Sequence, residues 1–360
     1  MPGGRGALAR LLPALLLAAA AAAAGPGCGP AGREPPGSPG APATPGAAGA
    51  PAAAPAVPRR IVALAPSLTE TLFALGLGER VVGVDDYSAW PPEIAAKARI
   101  GGLFNPNLEK LVSLHADLAV LLPSERDVAA KLRGLGIASL VVPTETLADV
   151  ERSFVAIARR CGVTPAGERL AAAWRSELAP RPVPGAPRVM LSVGRQPGRI
   201  TGILTPARGT YLDELLARLG AVNVFAGAAG RYPQVGLEEV VARAPRVILE
   251  LRSEPAPPPV VAALAGDWRQ LPTVPAVRDG RIFVIAGDYV LVPGPRLPRL
   301  YRRMREALLA ASGPAARSAA PALQPPATPG PAARSATVPR TVRSAAAPGR
   351  PPAASAEALR

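Results

Sequence analysis

The sequence predicts an α/β fold of two similar lobes with parallel sheets, joined by a long bridging helix and flanked by disordered N- and C-terminal tails. The first observation is a regular alternation of short apolar runs with helical patterns, which is typical of parallel sheets covered by helices. The second is an internal repeat, because residues 108–120 return 129 positions later as residues 237–249. Each copy has the pattern of a short helix followed by an apolar strand, so the chain builds the same unit twice.

The two ends of the chain are predicted to lie outside the folded part. Residues 1–28 combine two arginines with an apolar run, which is typical of a secretory signal peptide. Cys28 follows the apolar run and resembles the lipidated cysteine of a bacterial lipoprotein box, with plain cleavage of the signal as the alternative. Residues 29–58 and 312–360 are rich in Pro and Ala, so we expect a flexible tether and a disordered tail.

The first lobe is predicted to cover residues 59–164 and to open with a buried strand at 60–65. Ser67 or Thr69 is expected to cap the helix that follows over 68–75. Further apolar and amphipathic runs predict, in order, strand 81–84, helix 108–114, strand 118–122, helix 127–135, strand 139–142 and helix 147–160.

A helix at 165–179, with a proline-rich exit to residue 185, is predicted to bridge the lobes. Because a helix makes the connection, we expect limited lobe movement on binding. The second lobe, residues 186–311, repeats the scheme of the first. Its predicted elements are strand 188–193, helices 210–219 and 237–242, strand 246–251, helix 260–265, strand 281–285 and helix 298–310.

The formal net charge of +15 raises nucleic-acid binding as one function to consider. The arginines are scattered, however, and aromatic residues make up only 4% of the chain. A coding bias toward Arg, Ala, Pro and Gly accounts for the charge as well. We therefore expect no nucleic-acid partner.

The sequence contains none of the common enzyme motifs. There is no glycine-rich dinucleotide loop after a strand, no phosphate-binding P-loop and no Gly-x-Ser-x-Gly elbow. His115 is the only histidine, and Cys161 is the only cysteine beyond Cys28, which excludes an internal disulfide in the folded part. We expect no catalytic residue, no metal ligand and no bound catalytic cofactor, and we expect Cys161 to be a core residue.

Polar and aromatic residues follow the predicted strand ends, where α/β sheets bind their ligands. A cleft lined by these residues suits a large, partly flat organic ligand, with Ser67 and Asp288 as the polar groups that orient it. The alternative is that the loop aromatics only cover strand ends. The candidate ligand-binding residues are Ser67, Tyr87, Trp90, Phe104, Asn105, Arg195, Tyr232, Asp288 and Tyr289.

Four segments occur in the order Arg60–Glu70, Tyr87–Glu93, Asn105–Glu109 and Tyr232–Val235. As a set they resemble the helical-backbone class of periplasmic substrate-binding proteins, in the vitamin B12 and iron-siderophore branch of ABC importers. The resemblance covers residues 59–311 and implies a ligand held between two lobes.

The resemblance also implies that one glutamate per lobe docks onto arginines of the membrane permease. Those positions match Glu109 and Glu238, which fall at the same place in the two copies of the repeat. Contacts of complementary charge at two separate points fix orientation and speed the encounter of two proteins. The alternative role of each carboxylate is to stabilise the N-terminus of its own helix.

The resemblance implies a non-enzymatic, monomeric protein of the periplasm or cell surface, anchored by lipid at Cys28, that delivers cobalamin or a related corrinoid to an ABC permease. Tyr87, Tyr232, Asp288 and Tyr289 stand where cobalamin contacts are expected, whereas Phe104 lies where a tryptophan is expected. A ferric siderophore or heme is the alternative ligand, because it suits the arginines of the second-lobe loops (Arg195, Arg199, Arg208 and Arg231). An α/β enzyme without a recognisable motif, or a partner protein using its basic tail, remains as an alternative of another class.

Overall fold

The computed structural model describes residues 56–102 and 105–313. The predicted signal peptide, Cys28, almost all of the predicted tether, nearly all of the predicted C-terminal tail, and Phe104 therefore lie outside the described residues. The two-lobed α/β fold itself is confirmed.

The first lobe is built on a five-stranded sheet with the strand order β3-β2-β1-β6-β7, in which every neighbouring pair is parallel. Strands β1 and β6 are buried along their whole length, as continuous apolar runs in a parallel sheet are expected to be. A two-stranded antiparallel ribbon, β4–β5, precedes the repeated helix. The elements are β1 (Ile61–Ala63), α1 (Pro66–Ala74), β2 (Val81–Val84), β3 (Ala98–Arg99), β4 (Gly101–Gly102), β5 (Asn105–Pro106), α2 (Leu108–Ser113), β6 (Leu118–Leu121), α3 (Arg126–Gly134) and β7 (Ala138–Val141).

Two helices, α4 (Leu147–Arg160) and α5 (Thr164–Glu177), connect the lobes. Helix α4 contributes Val150 and Phe154 to the core of the second lobe, and Ile157 to the core of the first. The sequence prediction assigned the bridge to residues 165–185 alone. The structure corrects this, because the apolar face of α4 spans both cores before α5 begins.

The second lobe contains a four-stranded parallel sheet with the order β10-β8-β12-β13. Strands β9 and β11 form a separate two-stranded antiparallel sheet. The elements are β8 (Arg188–Ser192), β9 (Ile203–Leu204), α6 (Tyr211–Arg218), β10 (Val222–Asn223), β11 (Gln234–Val235), α7 (Leu237–Arg243), β12 (Val247–Arg252), α8 (Pro258–Asp267), α9 (Pro275–Arg278), β13 (Ile282–Ala286) and α10 (Leu297–Ser312).

The sequence repeat is also a structural repeat. The strand order β2-β1-β6-β7 of the first lobe corresponds to β10-β8-β12-β13 of the second. The helix–strand units α2–β6 and α7–β12 occupy the same places in these orders. Both units leave their helix through a residue in the left-handed region, His115 with φ 48° and Ala244 with φ 44°. The two copies therefore share a turn that non-glycine residues rarely adopt.

The start of α1 differs from the prediction. The helix begins at Pro66, and the residue before it, Ala65, makes no side-chain capping bond. Ser67 and Thr69, the predicted caps, lie inside the first turns. Proline at the first helical position has a suitable fixed φ and needs no hydrogen-bond partner for its nitrogen, so no capping side chain is required there.

Cys161 ends α4 and is completely buried in the core of the first lobe, as predicted. Burial raises the pKa of its thiol to about 11, so the sulfur stays protonated. It acts as a small apolar core residue.

The close approach of α4 and α5 depends on Gly167. A Cβ atom at this position would lie 2.4 Å from the Cβ of Ala158 and 3.0 Å from the backbone oxygen of Phe154. The two helices can therefore keep their present separation only without a side chain at residue 167.

We expect Gly167→Ala to lower the free energy of unfolding by about 1–3 kcal/mol, because the helices must shift apart to admit the methyl group. Gly134→Ala is the matched control, since that position ends α3 with no atom within 4 Å of an added Cβ. The control should be neutral or more stable by up to about 1 kcal/mol. Urea unfolding of both variants tests this, and equal stabilities would contradict the close approach.

Candidate functional site

An ion pair between Glu70 of α1 and Arg296, the residue before α10, joins the two lobes. The guanidinium donates from Nη2 to Oε1 at 2.6 Å and from Nε to Oε2 at 3.0 Å. Two parallel bonds of this kind are the strong form of an arginine–carboxylate contact. Glu70 is buried, and burial raises the pKa of its carboxyl, while the bonds from Arg296 oppose that shift. The pair holds α1 against the start of α10.

The same guanidinium brings together two predicted ligand residues, Asp288 and Trp90. Nη1 of Arg296 donates to Asp288 Oδ2 at 3.0 Å, and Nη2 donates to the backbone oxygen of Asp288 at 3.2 Å. The Cζ atom of Arg296 lies 5.0 Å from the centroid of the Trp90 ring, which is a cation–π distance. Trp90 comes from the first lobe and Asp288 from the second, so this cluster lies where the lobes meet.

A buried polar cluster fixes the loop after β2, which carries Tyr87 and Trp90. Asp85 accepts a hydrogen bond from the Tyr87 N–H at 2.8 Å and another from the hydroxyl of Ser88. Arg99 donates to the backbone oxygens of Asp85 at 2.9 Å and Ser88 at 2.7 Å. Burial raises the pKa of the Asp85 carboxyl, and these hydrogen bonds oppose the shift. The backbone at the start of the loop that carries Tyr87 and Trp90 is thus fixed by Asp85 and Arg99.

Glu125, in the turn after β6, is a further buried carboxylate of the first lobe. Its Oε2 accepts from the Leu122 N–H at 2.6 Å, whereas Oε1 has no hydrogen-bond partner among the residues that the structure describes. Burial raises its pKa to about 8, with the Leu122 bond opposing and the charge of Asp85 adding to the shift. Folding therefore favours the protonated carboxyl at neutral pH.

Tyr232 lies partly buried against the core of the second lobe. Burial and the charge of Glu145 raise the pKa of its hydroxyl, so the group stays protonated and can donate a hydrogen bond. Glu145 also contacts Arg231 at 3.9 Å and accepts the Tyr211 N–H at 2.7 Å through its backbone oxygen. This places a phenol, a carboxylate and a guanidinium close together where the segment before α4 meets the second lobe.

Arg195 does not lie at an accessible surface, contrary to its prediction as a ligand contact. Its side chain is 0% exposed, and Nε and Nη2 donate to Glu250 Oε2 at 3.0 and 2.9 Å. Nη1 donates to Asp267 at 2.8 Å, and Trp268 Nε1 donates to the same Glu250 oxygen at 2.8 Å. Because its donors are used inside the second lobe, we remove Arg195 from the ligand-binding set.

Ser67 and Tyr289 are more buried than loop residues are expected to be, at 4% and 3% exposed. The backbone of Ser67 packs against Gly294 of the second lobe, where an added Cβ would lie 3.4 Å from the Ser67 oxygen. Tyr289 belongs to the second-lobe core, and the Cζ atom of Arg299 lies 4.1 Å from its ring centroid. Their roles as ligand contacts remain predictions.

Tyr87 and Asn105 are both exposed, and Tyr87 keeps 41% of its surface accessible. The Tyr87 ring faces Gly102 of the β4–β5 ribbon, where an added Cβ would lie 3.5 Å from the ring. An exposed tyrosine held beside a glycine ribbon offers an open aromatic surface. These two residues therefore stay in the predicted ligand set.

Glu109 and Glu238 lie at the second positions of α2 and α7, and both are exposed. Within the described ranges, neither carboxylate takes part in an ion pair or a side-chain hydrogen bond. The helix starts are capped by other groups, because Asn107 accepts the Lys110 N–H and Glu239 accepts the Gly236 N–H. Both predicted docking carboxylates are thus free to meet another protein.

Three residues of this site were not predicted from the sequence: Glu70, Arg296 and Glu125. A signal was present for Arg296, because a cation next to a helix N-terminus is disfavoured by the helix dipole and indicates a nearby carboxylate. Pro298 marks that helix start in the sequence. Glu125 carries no comparable signal, since its burial follows from packing.

The described part of the chain contains no group of three or more His, Cys, Asp or Glu side chains placed to hold a metal ion. Over the same ranges, no helix has the length and apolarity needed to cross a bilayer.

A family model described as periplasmic binding protein matches residues 61–289. The vitamin B12-binding protein of Vibrio cholerae serotype O1 is 30% identical over 249 residues, which covers 66% of this chain and 84% of that protein.

Solved structures of periplasmic binding proteins are also similar to this chain. The periplasmic vitamin B12 binding protein BtuF of Vibrio cholerae is 28% identical, with a TM-score of 0.59, covering 71% of this chain and 98% of its own. The periplasmic heme-binding protein RhuT from Roseiflexus sp. RS-1, in apo form, is also 28% identical, with a TM-score of 0.60, covering 71% and 99%.

We expect Arg296→Met to lower the free energy of unfolding by about 3 kcal/mol, because it leaves the buried Glu70 carboxylate without its partner. The control is Arg302→Met in α10, because the pair of Arg302 with Glu177 is about half exposed on both sides. The control should cost less than about 1 kcal/mol. Urea unfolding measures both, and adding Glu70→Gln to Arg296→Met should recover part of the loss. Equal costs for the two arginines would contradict an inter-lobe role for the pair.

We expect Glu125→Gln to gain stability relative to the wild type as the pH rises from about 5 to 9. The folded-state pKa of about 8 lies above the ordinary value of 4.5. The wild type therefore loses stability as the pH rises through this window, by up to about 1.4 kcal/mol per pH unit, and neutral glutamine does not. Urea unfolding at several pH values provides the measurement. A stability difference that does not vary with pH would show that Glu125 titrates normally.

Proposed function

The chain belongs to the periplasmic binding protein family, and from that premise we propose that it captures cobalamin or a related corrinoid between its lobes and delivers it to an ABC permease. Proteins of this family bind a substrate for an ABC importer and are not enzymes. The observation that carries the ligand assignment is the 30% identity over 249 residues to a vitamin B12-binding protein. The proposal includes a monomer in the periplasm or at the cell surface, with a lipid anchor at Cys28.

The arrangement of residues supports a large organic ligand. Tyr87 is exposed, Trp90 is partly exposed beside Arg296, and the Tyr232 hydroxyl stays protonated as a donor. Aromatic faces with a few fixed polar groups are the usual lining of sites for flat ligands. Asp288 adds one carboxylate, which Arg296 already orients.

The lobes are tied together in a way that favours small movement on binding. Two helices, α4 and α5, span both cores, and the Glu70–Arg296 pair closes a further contact between α1 and α10. Opening the lobes would break a buried ion pair, which is costly. We therefore propose that the ligand enters without wide separation of the lobes.

Heme or another anionic iron chelate is the second candidate ligand. Arg199, Arg208 and Arg231 are exposed in the second-lobe loops, and a heme-binding structure is 28% identical to this chain. An anionic ligand would gain from these guanidinium groups, whereas a corrinoid needs less positive charge. Arg195 no longer supports this alternative, because it is buried and paired.

Titration calorimetry of the purified protein with cyanocobalamin, hemin and a ferric siderophore tests the ligand. We expect binding of cyanocobalamin, and we expect Tyr87→Ala and Tyr232→Ala each to weaken it about tenfold or more, as loss of a contacting aromatic side chain does. Leu135→Ala, at an exposed position directly after α3, is the control and should bind as the wild type does. Heat of binding with hemin alone would assign heme as the ligand in place of a corrinoid. No heat of binding with any of the three compounds would overturn both assignments.

Docking to the permease is the other half of the proposed function. We propose that Glu109 and Glu238 each meet a basic residue of the permease. Their exposure, their lack of partners within the described ranges and their equivalence in the repeat support this. Exposed charge pairs add little affinity, but they orient two surfaces and speed their encounter.

A further inference from the structure

The repeated helices α2 and α7 have matching patterns of burial as well as sequence. Leu111 and Val240, at equivalent positions, are both 0% exposed and anchor the helices to their lobes. The next residues, Val112 and Val241, are 47% and 40% exposed. Each helix is therefore already held by its buried neighbour, and the packing of the lobe does not use the valine.

An exposed valine alone needs no explanation, because single apolar residues are common on protein surfaces. Here the same exposure occurs twice. Among the large apolar side chains that are exposed in the described ranges, Val112 and Val241 form the one pair at equivalent positions of the repeat.

Each valine lies on the same side of its helix as a free glutamate. Val112 follows Glu109 by three positions and Val241 follows Glu238 by three, and side chains at this spacing are neighbours on a helix surface, with Cβ atoms about 5–6 Å apart. Each lobe thus presents a carboxylate beside an apolar side chain. We call these two-residue surfaces the docking patches: Glu109 with Val112, and Glu238 with Val241.

We propose that Val112 and Val241 are the apolar anchors by which the protein is held on its permease, each entering an apolar pocket beside the basic residue that meets the neighbouring glutamate. This inference rests on the proposed docking function. It assigns the two members of each patch different tasks. The exposed charge sets orientation and encounter rate, whereas burial of the valine supplies affinity that an exposed ion pair lacks.

The direct test is binding of the fluorescently labelled, purified protein to membrane vesicles prepared from the producing cells, which contain the permease. We expect Val112→Ala with Val241→Ala to weaken binding about tenfold or more, since each change removes two methyl groups from a buried contact. Alanine favours helices, so α2 and α7 should remain folded. Calorimetry with cyanocobalamin should give the wild-type affinity.

Two comparisons make the test specific. Val260→Ala, at a 46% exposed position of α8, is the matched control and should leave binding unchanged. Glu109→Arg with Glu238→Arg tests the charged contact. Raising the salt concentration from about 0.1 M to about 1 M should weaken wild-type binding, because salt screens the exposed charges of the glutamates. The factor by which the valine changes weaken binding should stay the same.

The outcomes separate the two ideas. If the glutamate reversal weakens binding and the valine pair behaves like Val260→Ala, the anchors are overturned and docking through the glutamates stands. If neither pair of changes weakens binding, both proposals fail together. Loss with the valine pair and with the glutamate reversal, but not with Val260→Ala, supports the anchors. Loss with the valine pair alone would overturn the placing of each valine beside a basic residue that meets its glutamate.

Discussion

A guanidinium that is mostly buried needs partners for its donors, and Arg296 finds these partners in both lobes. Glu70 comes from the first lobe and Asp288 from the second, and the Trp90 ring covers the group at a cation–π distance. Because Glu70 would be left with an unpaired buried charge if the lobes separated, Arg296 links the packing of α1, the start of α10 and the loop after β2. The orientation of two predicted ligand residues therefore depends on one arginine.

The same rule explains how each lobe treats its other buried charges. In the second lobe, Oε2 of Glu250 accepts hydrogen bonds from Arg195 and Trp268, and in the first lobe, Asp85 accepts hydrogen bonds from the Ser88 hydroxyl and the Tyr87 N–H. Glu125 differs from both, because its one hydrogen bond among the described residues comes from a backbone N–H and no cation opposes the rise of its pKa. Charges that would attract a ligand are thus largely committed to the fold. Under the proposed function, recognition of the ligand is therefore left mainly to aromatic surfaces and to a few exposed polar groups.

The internal repeat connects the fold to the proposed docking. Equivalent strand orders place α2 and α7 in the same topological position in both lobes, and both helices end through a left-handed residue. Such a turn is unfavourable for a non-glycine residue, so its presence in both copies fixes the direction of each helix relative to the strand after it. Glutamate and valine are then presented once per lobe in the same local geometry. A surface that occurs twice is suited to a partner that makes the same contact at two points.

The sequence by itself determined the alternation of strands and helices, the repeat, and the equivalence of Glu109 and Glu238, because periodicity and self-similarity are local properties of the chain. Strand β2 and helix α4 have the predicted bounds, and Cys161 is the predicted core residue. Only the tertiary structure decided the site. Glu70 and Arg296 are 226 positions apart, and Arg195 lies 55 positions from Glu250, so nothing in a local pattern tells which charges will meet. An arginine in a loop has the same appearance in the sequence whether it faces a ligand or a buried carboxylate, and packing alone separates the two cases.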